Sequence, residues 1–187
     1  MRIFNPKFTF QKKITRPLKF FLKKHPLKKN DILISEGNKN DKLYFIEKGI
    51  VYFYKILDDG SIQVIQFSKE NYWVTDLSSF FNASNSLFSI NAIEDCKLLY
   101  ITKENYEKSC LNSISINTYF RLNIQNAYSA TLQRLSDVYA KDAESKYEYF
   151  IKHFFEISQR VPQYLIASYL GILPSSLSRI RNKKLKK

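Results

Sequence analysis

Apolar residues recur along this chain in two different rhythms, and the switch between them divides it. From Asp31 to Ile101 they come in short runs rich in Ile, Val, Tyr and Phe, broken by turn residues about every ten positions. Asp31-Ile32-Leu33-Ile34 is followed by Glu36-Gly37-Asn38, and Leu43-Tyr44-Phe45-Ile46 by Glu47-Lys48-Gly49. Ile50-Val51-Tyr52-Phe53-Tyr54-Lys55-Ile56 is followed by Asp58-Asp59-Gly60-Ser61. The Asp59-Gly60 pair tolerates the positive φ angles of a tight turn, so the flanking runs are expected to pair antiparallel. Many short antiparallel strands predict a sandwich or jelly-roll barrel.

After Thr102 the spacing becomes helical. Lys103 to Glu107 predicts a short helix, and from about Ser113 to Tyr139 apolar residues fall on helical repeats: Ile116, Tyr119, Phe120, Ile124, Ala127, Tyr128, Leu132, Leu135 and Val138. Such a helix would run ~40 Å, longer than a small barrel covers by itself. One apolar side, carrying Phe120, Ile124, Tyr128, Leu132 and Leu135, is therefore expected to pack on a second copy as the seam of a homodimer. Packing on its own domain alone is the alternative, because periods of 3.5 and 3.6 residues are indistinguishable over so few turns. Glu144 to Ser158 predicts a further amphipathic helix, with Tyr147, Phe150, Ile151, Phe154 and Phe155 on one side.

Gln159 to Lys184 then reads as two short helices around one glycine. Pro162 and Pro174 suit helix starts, where the missing amide has no intrahelical partner. Gly171 stands where the first helix must end and reverse, a place for a left-handed residue. Ala167 is small where two helices would cross, and Leu165, Ile166, Leu170, Ile172, Leu177 and Ile180 supply a three-way apolar contact of the helix-turn-helix kind. The polar edge of the second helix would present Ser175, Ser176, Ser178, Arg179, Asn182, Lys183 and Lys184. Such groups donate to phosphates and base edges, and Arg can take guanine O6 and N7 in a fork. A helix pair of this kind also serves as a packing element in helical domains.

Charge sharpens that choice. The net charge of the 187 residues is +13. Residues 1 to 30 hold ten Lys/Arg and no acid, residues 157 to 187 hold seven and again no acid, and residues 31 to 159 carry 13 basic against 17 acidic groups, a net of −4. Cationic ends attract a polyanion by neutralising phosphates and releasing counterions, and a purely structural helix pair has no need of one-signed charge. The Lys7 to Lys29 run, interleaved with Phe8, Phe10, Phe20 and Phe21, also fits an anionic membrane surface or RNA.

Other chemistry is thin. Cys96 and Cys110 lack neighbouring histidines, and His25 and His153 are remote from each other, whereas zinc or iron-sulfur sites use about four closely spaced ligands. Reduced thiols, no metal and no cofactor are expected. Asp76, Glu94 and Asp95 provide no nucleophile and base pair, so no catalytic site and no enzymatic activity are expected. No apolar run approaches the ~20 residues of a membrane span, and the first 30 residues lack a signal-peptide core, so the expected location is the cytoplasm.

The strings Glu36-Gly37, Asp41, Tyr44-Phe45-Ile46, Gly49 and Asp59-Gly60, with the helix pair from Arg160 to Arg181, resemble the Crp/Fnr family of regulators over about Leu27 to Arg181. The stretch from Arg160 to Arg181 resembles the subgroup common in Bacteroidetes-type bacteria. The resemblance implies an α+β chain: a cyclic-nucleotide-binding-like antiparallel jelly roll, a long dimerisation helix and a C-terminal helix-turn-helix. The expected divisions are 1–112 for the basic N-terminal segment and sensor roll, 113–140 for the dimerisation helix and 141–187 for the DNA-binding domain. It implies a transcription regulator working as a homodimer on double-stranded DNA, with RNA polymerase and a small-molecule effector of unidentified chemistry as further partners.

Departures from the family pattern carry their own expectations. Where cyclic-AMP-binding members have a Gly-Glu pair, this chain has Thr75-Asp76 within Trp73-Val74-Thr75-Asp76-Leu77, and their Arg-Ser pair falls near Ser86-Leu87. Trp73, Thr75, Asp76, Ser86 and Leu87 thus mark the expected effector pocket. Residues 70 to 96 contain no Arg or Lys, so a buried phosphate would lack its cation, and the pocket is expected not to take cyclic nucleotides. No N-terminal cysteine cluster supports the family's iron-sulfur variant. Little sequence follows the second helix, so most of the family's β-hairpin wing is expected to be missing. A small-molecule or protein-binding sensor module with a vestigial helix-turn-helix is the alternative function.

Overall fold

The computed structural model describes residues 18–185, without the side chains of 184 and 185. Lys7, Phe8 and Phe10 of the N-terminal run, and the Lys184 side chain, lie outside the described residues. Phe20 is exposed, whereas Phe21 packs against the roll.

Eight strands form the roll: β1 (Lys23–Leu27), β2 (Ile32–Ile34), β3 (Lys42–Lys48), β4 (Val51–Ile56), β5 (Ile62–Ser68), β6 (Trp73–Val74), β7 (Ser89–Ala92) and β8 (Cys96–Thr102), with the helix α1 (Leu77–Asn82) between β6 and β7. They pair antiparallel in two four-stranded sheets, ordered β1-β8-β3-β6 and β2-β7-β4-β5. β4 and β5 are joined at Asp59-Gly60 as expected, with Gly60 at φ +79°.

The unbroken apolar runs of β3 and β4 have a tertiary cause. Successive strand side chains point to opposite faces, so a strand apolar on both must be covered on both. Tyr44, Ile46, Val51 and Phe53 point between the sheets, where they meet Leu27, Ile34, Ile90 and Leu98. Leu43 faces outward into a second cluster with Phe80, Ile101, Ile116 and Phe120. Tyr52 and Tyr54 face outward into a third, built by the C-terminal helices. Gly49 turns the chain between β3 and β4 at φ +107°, and a Cβ there would lie 2.4 Å from Cys96 Sγ, so the close approach of β8 requires glycine. Cys96 is buried beneath it, Cys110 half-buried, and both thiols are free.

The helices that follow are α2 (Lys103–Asn112), α3 (Ile114–Ala140), α4 (Ala143–His153), α5 (Phe155–Arg160), α6 (Gln163–Leu170) and α7 (Pro174–Leu185). α3 starts at Ser113, whose hydroxyl accepts from Ile116 N at 3.4 Å. Its first turns lie on the roll through Ile116 and Phe120. Phe120 is therefore corrected from seam to core: it is 3% exposed and its ring packs on Trp73, Tyr106 and Tyr119. Beyond Arg121 the helix leaves the roll, and Ile124, Tyr128, Leu132, Leu135 and Val138 are exposed. The single helix expected from Glu144 to Ser158 is two, broken at Phe154 (φ −126°, ψ 34°). The break turns Phe154 onto the core and Phe155 out to solvent.

Among the described residues no helix is long and apolar enough to cross a membrane, and no cluster of His, Cys, Asp and Glu could hold a metal ion.

Candidate nucleic-acid interface and sensor pocket

Gly171 ends α6 in a left-handed conformation (φ 66°, ψ 38°), its amide donating to the carbonyls of Ala167 and Ser168, and Ile172 N reaches Ala167 O at 3.0 Å. This reversal lets α7 cross α6 over Ala167, which is fully buried. Leu165, Ile166, Leu170 and Leu177 close the contact against Tyr147, Phe150, Ile157 and Val161. Pro162 precedes α6 by one residue, and Pro174 opens α7.

With Leu177 turned inward, the opposite side of α7 is open. Ser175, Ser178, Arg179, Asn182 and Lys183 are exposed, and Ser176 is half-buried. The structure thus brings the described members of the expected DNA-contacting set onto one face. Arg181, one turn beyond Ser178, is exposed as well; its place in the same acid-free tail was the available signal. Arg179 Nη2 donates to Ser176 Oγ at 3.3 Å, and Lys183 Nζ lies 3.2 Å from Glu144 Oε2. The Lys183 pair is exposed, so it is weak and exchangeable for a phosphate.

The back of the helix pair is seated on the roll. β5 is an edge strand, and its free backbone groups must find partners. Ser168 supplies two: its hydroxyl donates to Ile62 O at 2.5 Å and accepts from Val64 N at 2.8 Å, while Gln63 Nε2 donates to Ser168 O at 2.7 Å. At the entry to α6, Arg160 is held by two carboxylates. Its Nη1 and Nη2 reach Glu70 at 3.0 and 2.7 Å, and Nη2 also bonds Glu94. Glu70 accepts from Gly49 N at 2.9 Å too. The Arg160 guanidinium, ahead of smaller contributions, holds the Glu70 carboxyl down at about 2. Sequence reading missed these seats because their partners lie 66 to 106 residues apart.

In the expected effector pocket, Thr75, Asp76 and Ser86 come together, all buried. Asp76 caps α1, accepting from Ser79 N at 3.0 Å, and its other oxygen accepts from Ser86 Oγ at 3.0 Å and Leu87 N at 2.7 Å. Thr75 Oγ1 donates to Lys42 O at 2.9 Å and accepts from Asn40 Nδ2 at 2.8 Å. The Ser86 backbone is clasped by the β2–β3 turn, with Gly37 N donating to Ser86 O at 2.9 Å and Ser86 N to Asn38 O at 2.8 Å. Leu87 is exposed. Trp73 does not join this group. Its indole Nε1 donates to Tyr119 Oη at 2.9 Å and its ring packs at a tilt on Phe45 and edge-on to Phe120, because alternation along β6 sends it outward onto α3.

The carboxylate of Asp76 therefore takes the hydroxyl and amide donors of its own pocket. With Asp76 only 2% exposed, Asp76→Asn, which brings an NH2 against these donors, is expected to cost about 2 kcal/mol. Urea unfolding measures this, and an unchanged midpoint would show that the three bonds contribute nothing. Glu94 and Asp95 are also structurally engaged, Glu94 with Arg160 and Asp95 with Lys28 and the Lys29 amide.

Residues 24–113 match the family model of the cyclic nucleotide-binding domain. Over 97 residues the chain is 25% identical to the anaerobic regulatory protein of Bacillus subtilis, a match covering 52% of this chain and 41% of that protein. Among solved structures, a CooA variant from Carboxydothermus hydrogenoformans superposes with a TM-score of 0.75 at 14% identity, over 99% of this chain and 87% of that one. A transcriptional regulator of the Crp/Fnr family from Eubacterium rectale does so with a TM-score of 0.68 at 18% identity, over 100% and 88%. The chain has the Crp/Fnr fold. Within that fold the two sheets are the cyclic nucleotide-binding-type roll, α3 is the long helix that follows it, and α6 and α7 are the terminal helix pair.

Proposed function

We propose that this protein is a homodimeric, DNA-binding transcription regulator of the Crp/Fnr type, of the subgroup suggested by the string from Arg160 to Arg181, whose roll does not respond to cyclic nucleotides. The observation that carries the reading is the open face of α7: exposed Ser175, Ser178, Arg179, Asn182 and Lys183 on a helix whose other side is locked by Leu177, in a tail without acids. Such a helix fits the major groove, and two of them in a dimer reach half-sites about one helical turn apart. The dimer is supported by the exposed apolar stripe of α3. Sensor roll, dimerisation helix and DNA-binding domain divide at about residues 112 and 140.

Selection of bound sequences from random DNA, followed by mobility shifts, tests the reading, and absence of binding at low salt would sink it. On the selected site Arg179→Ala is expected to lose about 1–3 kcal/mol of discrimination at one base pair. Lys183→Ala and Lys184→Ala are expected instead to weaken all DNA alike and to flatten the salt slope by about one each.

For the roll, calorimetric titration with cyclic AMP and cyclic GMP is expected to show no binding. Asp76 occupies the donors, and residues 70 to 96 offer no cation to a phosphate. Micromolar affinity would overturn this part of the proposal. An effector of other chemistry, RNA polymerase as partner and a cytoplasmic location belong to the same reading.

A further inference from the structure

Three parts of the chain meet at the outer edge of β5, and one side chain touches all of them. α3 leaves the roll after Phe120, yet further along it Arg134 returns to the edge of the other sheet. Its Nη1 donates to Ile65 O, and its Nη2 lies 3.4 Å from Val64 O and 3.0 Å from Tyr169 O, close to the end of α6. The guanidinium carbon lies 4.0 Å from the centre of the Tyr169 ring. Ile65 is the residue that the β4–β5 register skips, because Tyr54 pairs with Val64 and Phe53 with Gln66. Such a bulge leaves backbone groups without a ladder partner.

Among the described residues no carboxylate comes within ion-pair distance of Arg134. Desolvation, the largest influence on it, lowers its pKa. A half-buried cation held by carbonyls and a ring is a costly way to fill space. What a guanidinium provides that an ammonium does not is a rigid planar fork, able to bond divergent carbonyls while stacking on an aromatic ring. Ser168 and Arg160 tie the helix pair to the roll; Arg134 also ties it to the helix that carries the dimer seam.

We propose that Arg134 is a positioning residue: it fixes the angle between α3 and the α6–α7 pair, and so sets the separation of the two recognition helices and the half-site spacing that the dimer accepts. This rests on the reading of the protein as a DNA-binding dimer. The angle within one chain does not, and can be measured without DNA.

The test compares the full chain with Arg134→Met and Arg134→Lys. In a Cys110→Ser background, spin labels at Ser129→Cys on α3 and Ser178→Cys on α7 report the distance within a chain when labelled protein is diluted into unlabelled protein. A narrow distribution is expected for Arg134. A broad one is expected for Met and also for Lys, which keeps the charge but not the fork. Equally narrow distributions for all three would overturn the inference.

On DNA, two half-sites at the optimal spacing are expected to bind the parent protein about a hundredfold or more better than one, an avidity that depends on geometry. With Met or Lys that advantage is expected to fall to about tenfold or less and to spread over neighbouring spacings, while single half-site affinity is retained. A uniform loss at every spacing and at the single half-site, with a lowered melting temperature, would mark a merely structural residue and overturn the inference. If the parent protein binds no DNA, the DNA-binding reading fails, and the label distances still decide whether Arg134 fixes the angle.

Discussion

Leu132→Glu combined with Leu135→Glu is expected to give a folded monomer whose affinity for a paired DNA site is about a hundredfold or more below that of the parent chain. Leu132 and Leu135 are 47% and 52% exposed, and Tyr128 on the same stripe is 65% exposed. Side chains so open contribute little to the chain's own core, so the substitutions leave its packing intact. Opposed across a seam, however, they would place four carboxylates where apolar contact is needed, and charge at the centre of such a seam is not tolerated. Sedimentation equilibrium decides the first half: a dimer undiminished in the double variant would place the seam elsewhere. Phe120→Ala provides the contrast. Buried among Trp73, Tyr106 and Tyr119, it is expected to cost about 3–5 kcal/mol of fold stability.

Arg160→Ala is expected to destabilise the chain by about 3 kcal/mol, well beyond an ordinary surface pair. Arg160, Glu70 and Glu94 are 31%, 27% and 33% exposed, and the guanidinium bonds both carboxylates, so its removal leaves two half-buried negative groups facing each other. Urea unfolding at neutral pH measures the loss, and a loss below 1 kcal/mol would show that water replaces the clamp without cost.

The pH dependence of the same clamp follows from the Glu70 carboxyl, held at about 2 in the folded chain against an ordinary value of 4.5. A depressed carboxyl binds fewer protons folded than unfolded, so its stabilisation is complete above about pH 4.5 and is lost as pH falls toward 2. In Arg160→Ala this dependence is expected to reverse between about pH 6 and 4, because protonation then relieves the repulsion between Glu70 and Glu94.

Much of the fold was legible because the features that signal it are local. The Asp59-Gly60 turn, the end of α6 at Gly171 and the start of α7 at Pro174 depend on backbone preferences of one or two residues. The helical repeat of α3 depends on side chains four apart. The outward set on α7 followed in the same way, since burying Leu177 leaves Ser175, Ser178, Arg179 and Asn182 on the other side. Periodicity could not say where along α3 the apolar stripe changes partner. Phe120 and Ile124 are one turn apart and equally apolar, yet the first fills the roll's outer cluster and the second is open. Nor could it show that Trp73 turns toward Tyr119 while Asp76, three residues on, turns in to Ser86 and Leu87.

By itself, then, the sequence determined two antiparallel sheets, a long helix and a terminal helix pair with a one-signed charge, because turn, capping and repeat preferences act between near neighbours. Only the tertiary structure decided how that pair is held. Arg160 between Glu70 and Glu94, Ser168 on the edge of β5, and Arg134 joining α3, Ile65 and Tyr169 are contacts between residues 35 to 106 positions apart. Their energies depend on where the folded backbone leaves an unpaired carbonyl or a half-buried carboxylate, which no local pattern encodes.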